Sequence, residues 1–381
     1  MFAAPMHEPL SDDELRRYSR HLKLAEIGET GQARLKTARI ALVGAGGLGS
    51  PAALYLAAAG VGTLGLVDYD AVDESNLQRQ VLFDTASVGE RKTHAGRQRV
   101  MALNPGTHVI EHDLELCAAN VRAVFADYDL ILDGSDRLGT RYLVNDACVL
   151  YRKPLVSAAI HRFEGQLMTY VPERGPCYRC LFPNPAEGLV PNCADVGVLG
   201  VLPGVLGTLA ATEAIKLVVG TGTALIGRLL TYDALELSFS EFRFARRADC
   251  AVCGTRPSIT APADPPGFVR LEELARVPRT DAARLAAMLA DRASGPMALI
   301  DVREPDEFAR GALPGSVNLP LGSIEQGLPE LPRADTLVFI CRSGARSRKA
   351  AALVSRRGLP VLTLEGGLLA YRDSVDGSLQ L

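Results

Sequence analysis

Three groups of residues in this chain have the types and spacing to do chemistry. The first is a glycine loop, Gly44-Ala45-Gly46-Gly47-Leu48-Gly49. Such a loop lets backbone N–H groups approach a phosphate at the positive end of a helix. Asp68, about twenty residues further on, can accept hydrogen bonds from ribose hydroxyls. The second is a split pair of clamps, Cys177/Cys180 and Cys250/Cys253. Four thiolates spaced this way match a closed tetrahedral Zn²⁺ site, which has no open position and so no catalytic role. Buried free thiols are the alternative. The third is Cys341, in Cys341-Arg342-Ser343-Gly344-Ala345-Arg346. At the start of a helix, backbone N–H groups favour a thiolate or persulfide, and Arg342 and Arg346 add positive potential. A phosphatase loop needs Cys, five residues, then Arg. Here that position is Ser347, which favours sulfur over phosphate chemistry.

The glycine loop and Asp68 alone fit a nicotinamide-dependent oxidoreductase. The residues that follow favour phosphate transfer. Asn76-Leu77-Gln78-Arg79-Gln80, Lys92 and Asp133-Gly134-Ser135-Asp136 place cations and a carboxylate in the same half of the chain. Cations can stabilise charge that shifts among phosphate oxygens, and a carboxylate such as Asp136 suits Mg²⁺. Cys193, in a Gly/Pro-rich region between the clamps, is either a nucleophilic or resolving thiol or a small structural residue. Cys117 and Cys148 read as core residues on helices.

The elements that must position these groups alternate in type. Ser11-Asp12-Asp13-Glu14 fits a capping box and starts a helix bearing Arg16, Arg17 and Arg20. An apolar strand at 39–43, the glycine loop, a helix at 49–59 and a strand at 63–68 make a βαβ unit and imply a parallel sheet. The pattern continues with a helix at 91–103, a strand at Val109, a helix at 118–126, a strand at 130–133, a helix at 140–150 and a strand at 155–159. The apolar stretch 196–220 contains Pro203, Glu213 and Lys216, and reads as buried strand or loop plus helix, not a membrane span. A Pro-rich stretch around 258–267 reads as a stiff linker. Beyond it, strands at 298–302, 337–340 and 361–364 and a helix at 345–357 form a second, smaller α/β domain.

At 381 residues with 48% hydrophobic residues, the chain has room for two domains with real cores. A net charge of −3 carries no polybasic signal, so nucleic acid is not expected as a partner. The first ten residues lack a signal-peptide core. Eight cysteines without such a signal point to a reducing cytoplasm, where cysteines serve metal, catalysis or packing.

The order of these motifs resembles the MoeB/ThiF family, relatives of the ubiquitin-activating enzymes. The matching residues are Arg17-Tyr18-Ser19-Arg20-His21, the glycine loop through Ser50, Asp73-Glu74-Ser75-Asn76-Leu77-Gln78-Arg79-Gln80, Lys92, Asp133-Gly134-Ser135-Asp136 and Thr140-Arg141-Tyr142-Leu143-Val144-Asn145-Asp146-Ala147. The resemblance covers residues 11–256 and implies a Rossmann-like adenylation domain with a Cys₄ zinc site. It implies that ATP is bound by Gly44, Gly46, Gly47, Gly49 and Asp68, with Asn76, Arg79 and Lys92 on the phosphates and Asp136 on Mg²⁺. Arg20 would reach into a partner subunit's site, which implies a homodimer. Cys193 would lie on a crossover loop over the adenylate. One departure is Arg137, where the family usually has Asn, followed by Leu138-Gly139 instead of Phe-Pro.

Residues 268–381 resemble a rhodanese domain, through Leu299-Ile300-Asp301-Val302-Arg303-Glu304, Gly311-Ala312-Leu313-Pro314-Gly315 and Leu364-Glu365-Gly366-Gly367. Cys341 matches the persulfide-carrying residue, whereas Ala312 replaces a frequent His and Tyr371 a usual Trp. The expected division is 1–257 adenylation domain, 258–267 linker and 268–381 rhodanese domain, as in MoeZ-type fusions and molybdopterin-synthase sulfurylases. The resemblance implies adenylation of a ubiquitin-like sulfur carrier ending in Gly-Gly, then sulfur transfer from Cys341. Thiosulfate or a cysteine desulfurase would supply the sulfur. The competing classes are the oxidoreductase and a scaffold that docks carriers without catalysis.

Overall fold

The computed structural model describes residues 9–183, 197–265, 267–291, 296–327 and 329–381. The chain forms two compact units, Met1–Pro265 and Pro266–Leu381.

The first unit is built on one eight-stranded sheet. Its strands are β1 (Arg39–Val43), β2 (Thr63–Val67), β3 (His108–His112), β4 (Leu130–Asp133), β5 (Leu155–His161), β6 (Glu164–Tyr170), β7 (Arg228–Asp233) and β8 (Ser238–Arg243). Their order is β3-β2-β1-β4-β5-β6-β7-β8. The first five are parallel and the last three antiparallel. Parallel strands are covered on both faces, so they read as continuous apolar runs. β2 and β4 are buried at every position. The chain leaves β1 toward β2 on one side and returns to β4 on the other. That reversal opens a crevice at the carboxyl ends of the strands, the usual ligand site in such sheets.

The 196–220 stretch supplies the helix Leu202–Val219. It is long and apolar enough to cross a bilayer, but 56% of it is buried. Leu202, Leu206, Ala210, Ala211, Ala214, Val218 and Val219 join the core that holds Leu42, Leu64 and Leu132. Its carboxylate Glu213 is buried and accepts hydrogen bonds from Thr169 Oγ1 at 2.9 Å and Leu225 N at 2.8 Å. Burial with a full set of partners is the signature of a core helix.

Differences from the sequence expectation lie mainly outside the parallel half. The helix Gly28–Thr37 and strands β6 to β8 had no forecast. The β5–β6 hairpin turns on Arg162-Phe163, with His161 opposite Glu164 and Arg162 at φ +54°. Two-residue hairpins usually carry Asn-Gly or similar residues there, so the sequence lacked the turn signal. Cys117 lies ahead of the helix Val121–Ala126 rather than within a helix, while Cys148 lies on the helix Leu138–Leu150. Both are buried, as core residues should be.

The second unit carries strands β9 (Arg279–Thr280), β10 (Met297–Asp301), β11 (Val317–Asn318), β12 (Thr336–Ile340) and β13 (Val361–Leu364). They form one parallel sheet in the order β11-β10-β12-β13-β9. β12 is buried from Leu337 to Ile340 and is followed directly by Cys341. Helices cover both faces, giving two apolar layers, one around Phe339 and one around Val338 and Ile340.

Candidate nucleotide, metal and sulfur sites

The glycine loop joins β1 to the helix Gly49–Ala58 at the crevice. Gly44 has φ +89°, and a Cβ there would lie 3.1 Å from the Gly134 carbonyl. A Cβ at Gly49 would lie 1.9 Å from the Gly44 carbonyl. Both positions therefore require glycine. Asp68 follows β2 and locks the loop's entry. Its Oδ2 accepts the Ala45 N–H at 2.9 Å, and its Oδ1 the Asp70 N–H at 2.9 Å. Burial pushes the Asp68 carboxyl up, and the nearby Lys92 ammonium opposes that shift.

The other expected nucleotide residues lie on the segments after β2 and β4 and at the start of the helix Lys92–Leu103. Lys92 is 5% exposed, and its Nζ lies 2.9 Å from Asp70 Oδ2. Arg79 donates to the Ser75 carbonyl at 3.1 Å, and its Cδ comes near the Gly47 position. Asn76 closes the short 3₁₀ turn Glu74–Asn76, which Asp73 caps through the Ser75 N–H. Asp133 ends β4 fully buried, and its Oδ1 accepts Ser135 N–H at 3.0 Å and Ser135 Oγ–H at 2.7 Å. Its Oδ2 has no hydrogen-bond partner among the described residues. Burial pushes the Asp133 carboxyl up. Asp136 is exposed three residues on.

The segment Arg17-Tyr18-Ser19-Arg20-His21 is pinned at three points, the first being Arg17 Nη1, which donates to the Leu103 carbonyl at 3.1 Å. Asn104 Nδ2 donates to Tyr18 Oη at 2.8 Å, and His21 Nδ1 lies 3.2 Å from Gln32 Oε1. Arg20 between them stays exposed. Arg20 thus sits on the short helix Ser19–Leu22 with no ion pair among the described residues.

The four clamp cysteines converge. Cys177 Sγ lies 3.6 Å from Cys250 Sγ, Cys180 Sγ lies 3.4 Å from Cys253 Sγ, and all four sulfurs fall within 4.8 Å of one another. A tetrahedral ion with metal–sulfur bonds of about 2.3 Å sets its sulfurs about 3.8 Å apart. The donor set therefore fits one metal ion. The topology explains the meeting of residues so far apart in sequence. β6 and β8 flank β7 and both run antiparallel to it, so their carboxyl ends lie at the same end of the sheet, and a clamp follows each. The first clamp is fixed by Arg179, which makes paired bonds of 2.7 Å to the buried Asp146. Arg246 binds the Cys253 carbonyl at 2.7 Å, and Cys180 Sγ accepts the Arg247 N–H at 3.4 Å. Contacts with the Cys180 and Cys253 sulfurs, together with burial, push the Cys177 thiol up.

In the second unit Cys341 is 1% exposed. Its Sγ accepts the Gly344 N–H at 3.2 Å and the Ser347 N–H at 3.3 Å. Gly344, at φ +93°, begins the helix Ala345–Ser355. The loop is held from behind by the helix Gly367–Ser374, through Leu368 N–H to the Cys341 carbonyl at 2.8 Å and Leu369 N–H to the Arg342 carbonyl at 3.0 Å. A negative sulfur here would face backbone donors at a helix start. Arg342 is exposed. Arg346 differs from the sequence expectation, because it pairs with Glu307 at 2.5 and 2.8 Å. Glu307 offsets part of its positive field, which still reaches Cys341.

Sequence reasoning quoted Asp301 and Arg303 only as part of the rhodanese motif and did not foresee that they stiffen this loop's surroundings. Arg303 and Asp301 form a buried pair, with bonds of 2.7 to 3.0 Å, and Arg303 also binds the Gly311 carbonyl at 2.6 Å. Their i, i+2 spacing on a strand end was the available signal. Cys193 lies outside the described residues.

A doubly wound sheet with a glycine loop and a Cys₄ clamp, joined to a small parallel sheet that ends in a cradled cysteine, defines a fused adenylate-forming and sulfur-transferring enzyme. The chain belongs to the ThiF family, whose model matches residues 18–252, and carries a rhodanese-like domain at residues 281–374. It is 43% identical, over 96% of each chain, to the probable adenylyltransferase/sulfurtransferase MoeZ of Mycobacterium tuberculosis. It is 41% identical to the adenylyltransferase and sulfurtransferase MOCS3 of Sus scrofa, over 98% of this chain and 89% of that protein. Among solved structures, E. coli MccB with MccA-N7isoASN aligns with a TM-score of 0.57 at 23% identity, covering 64% of this chain and 76% of that one. At that identity the likeness speaks to fold alone. The family assignment decides the two readings of the glycine loop in favour of adenylyl transfer. The chain is an adenylyltransferase and sulfurtransferase.

Proposed function

We propose that this enzyme activates the C-terminal glycine of a ubiquitin-like sulfur carrier with ATP and converts it to a thiocarboxylate. The observation that carries the reading is the Cys341 cradle, a sulfur facing two backbone N–H groups, in one chain with the glycine loop and Asp68. Relatives matched over nearly the whole chain bear names for both activities.

In the first half-reaction a carrier carboxylate oxygen attacks the α-phosphorus and pyrophosphate leaves. The carboxylate is already an anion at neutral pH, so no general base is needed. The protein must align two anions and offset their repulsion. Asp68 holds the ribose, and Asn76, Arg79 and Lys92 face the phosphates beside Gly44, Gly46, Gly47 and Gly49. Arg20 enters the site of a partner copy, which makes the enzyme a homodimer. Asp136 holds Mg²⁺. The Oδ2 of Asp133, at the end of β4 and without a hydrogen-bond partner among the described residues, supports an oxygen-rich site for a hard cation. A bound Mg²⁺ neutralises charge on the phosphates.

In the second half-reaction a persulfide on Cys341, formed from thiosulfate or a cysteine desulfurase, attacks the acyl carbonyl and AMP leaves. The product is an acyl disulfide between Cys341 and the carrier. A second thiol, assigned to Cys193, attacks the Cys341 sulfur and breaks the S–S bond. The carrier leaves as a thiocarboxylate, and the new protein disulfide is reduced by an external dithiol. Tethering both domains in one chain raises the effective concentration of Cys341 near the adenylate. The Cys₄ cluster holds a structural Zn²⁺, and the reducing conditions this chemistry needs fit the cytoplasm.

Pyrophosphate exchange with a Gly-Gly-ended carrier tests the first half-reaction. Exchange that depends on both carrier and Mg-ATP is expected. Exchange that needs no carrier would contradict it.

A further inference from the structure

Arg137 stands where the family usually has Asn, and the structure gives it a definite task. It follows β4 and starts the helix Leu138–Leu150. Its Nη1 lies 2.9 Å from Glu115 Oε1, on the segment after β3. Its guanidinium sits 5.2 Å from the centre of the Tyr69 ring, on the loop after β2. In the sheet, β1 separates β4 from β2. Arg137 thus reaches over the end of β1, where the glycine loop begins, across two strand spacings of roughly 9.5 Å. A short Asn side chain cannot span that gap.

Tyr69 directly follows Asp68, the carboxylate that binds the glycine loop. The Tyr69 carbonyl accepts from Arg91, which also pairs with Asp113. The β2 loop is therefore held by two arginines, each tied to a carboxylate on the segment after β3. One of them, Arg137, comes from the opposite wall of the crevice, one residue beyond Asp136.

Resting on the adenylation reading, we propose that Arg137 is a positioning residue for the nucleotide. It ties the loops after β2, β3 and β4 together across the mouth of the crevice, and so fixes Asp68 and Asp136 relative to each other. A positioned pair of walls lowers the ordering cost of nucleotide binding. A planar guanidinium that both stacks and pairs is not replaced by a lysine.

The test compares wild type with Arg137→Asn, Arg137→Lys and Glu115→Gln. Two readouts are KM and kcat for ATP in carrier-dependent pyrophosphate exchange, and equilibrium binding of a non-hydrolysable ATP analogue with Mg²⁺. Losing a partly exposed pair and a ring contact should raise KM and Kd for nucleotide roughly five- to tenfold, with kcat within about twofold. The KM for carrier should not move. Glu115→Gln should shift nucleotide KM in the same direction, and Arg137→Lys should recover part of the loss. Unchanged nucleotide KM and Kd in Arg137→Asn, or a loss confined to kcat, would overturn the proposal. Should Arg137→Asn fail to fold, the near-isosteric Glu115→Gln decides it by the same criterion. If the wild-type chain binds the analogue but shows no exchange, the adenylation reading fails, while the binding constants still decide the role of Arg137.

Discussion

The Sγ of Cys341 accepts the backbone N–H of Ser347 at 3.3 Å. Ser347 occupies the position where a phosphatase loop carries its phosphate-binding arginine. Its hydroxyl turns back to the Gly344 carbonyl at 3.1 Å, so the loop closes tightly around a single sulfur. With serine in place of that arginine, the loop favours sulfur over phosphate chemistry.

Replacing Cys341 should separate the two activities. Cys341→Ala should lower sulfur transfer from thiosulfate roughly a thousandfold or more, as loss of a nucleophile does. Pyrophosphate exchange should stay within about twofold. Normal thiocarboxylate yield from that variant would remove Cys341 from the mechanism.

The Glu307–Arg346 pair should make the second unit acid-sensitive in a defined window. Arg346 holds the Glu307 carboxyl down at about 2, against 4.5 for the unperturbed group. Between those values the unfolded chain binds the proton and the folded one does not, so stability rises with pH there. The contribution is fully present above about pH 4.5 and is lost as pH falls toward 2. With solvent screening it amounts to about 1–2 kcal/mol. Glu307→Gln should be less stable at neutral pH and show a shallower stability slope across that window. Parallel acid-unfolding curves for the two proteins would rule the linkage out.

The clamp cysteines should hold one zinc ion per chain with a structural effect. Cys180→Ser, or prolonged chelation, should abolish zinc content and lower Tm by on the order of 10 °C. Mass spectrometry under native conditions and thermal melting read both effects. Zinc retained by the variant, or an unchanged Tm on its loss, would contradict a structural site.

Arg20 and Asp136 should act in one composite site made by two copies. Asp136→Ala and Arg20→Ala should each lower exchange by roughly 10² to 10³. Co-assembled, the two dead variants should recover about a quarter of wild-type activity, because half the dimers are mixed and each mixed dimer holds one intact site. Recovery absent despite mixed dimers would place Arg20 in its own subunit's site.

The sequence revealed the parallel half of the first sheet because Arg39–Val43 and Thr63–Val67 are short apolar runs beside glycine turns. It hid β6 to β8, because Arg162-Phe163 carries no turn signal and β8 is exposed at every position. The chemical groups themselves were legible, since glycines, clamps and Cys341 announce their chemistry by type and spacing. Their partners were not. Glu307 reaches Arg346 from another helix and Glu115 reaches Arg137 from another loop, and such pairs between distant segments leave no periodic trace in sequence. The convergence of the clamps likewise depends on the strand order β6-β7-β8, which residue spacing alone does not encode.

The most direct test of the whole mechanism is the intact mass of a Gly-Gly-ended carrier from the same genome. The carrier is incubated with this enzyme, Mg-ATP, thiosulfate and a reductant. The expected result is an ATP-dependent gain equal to one oxygen replaced by sulfur. A carrier of unchanged mass, with neither adenylate nor pyrophosphate formed, would contradict it.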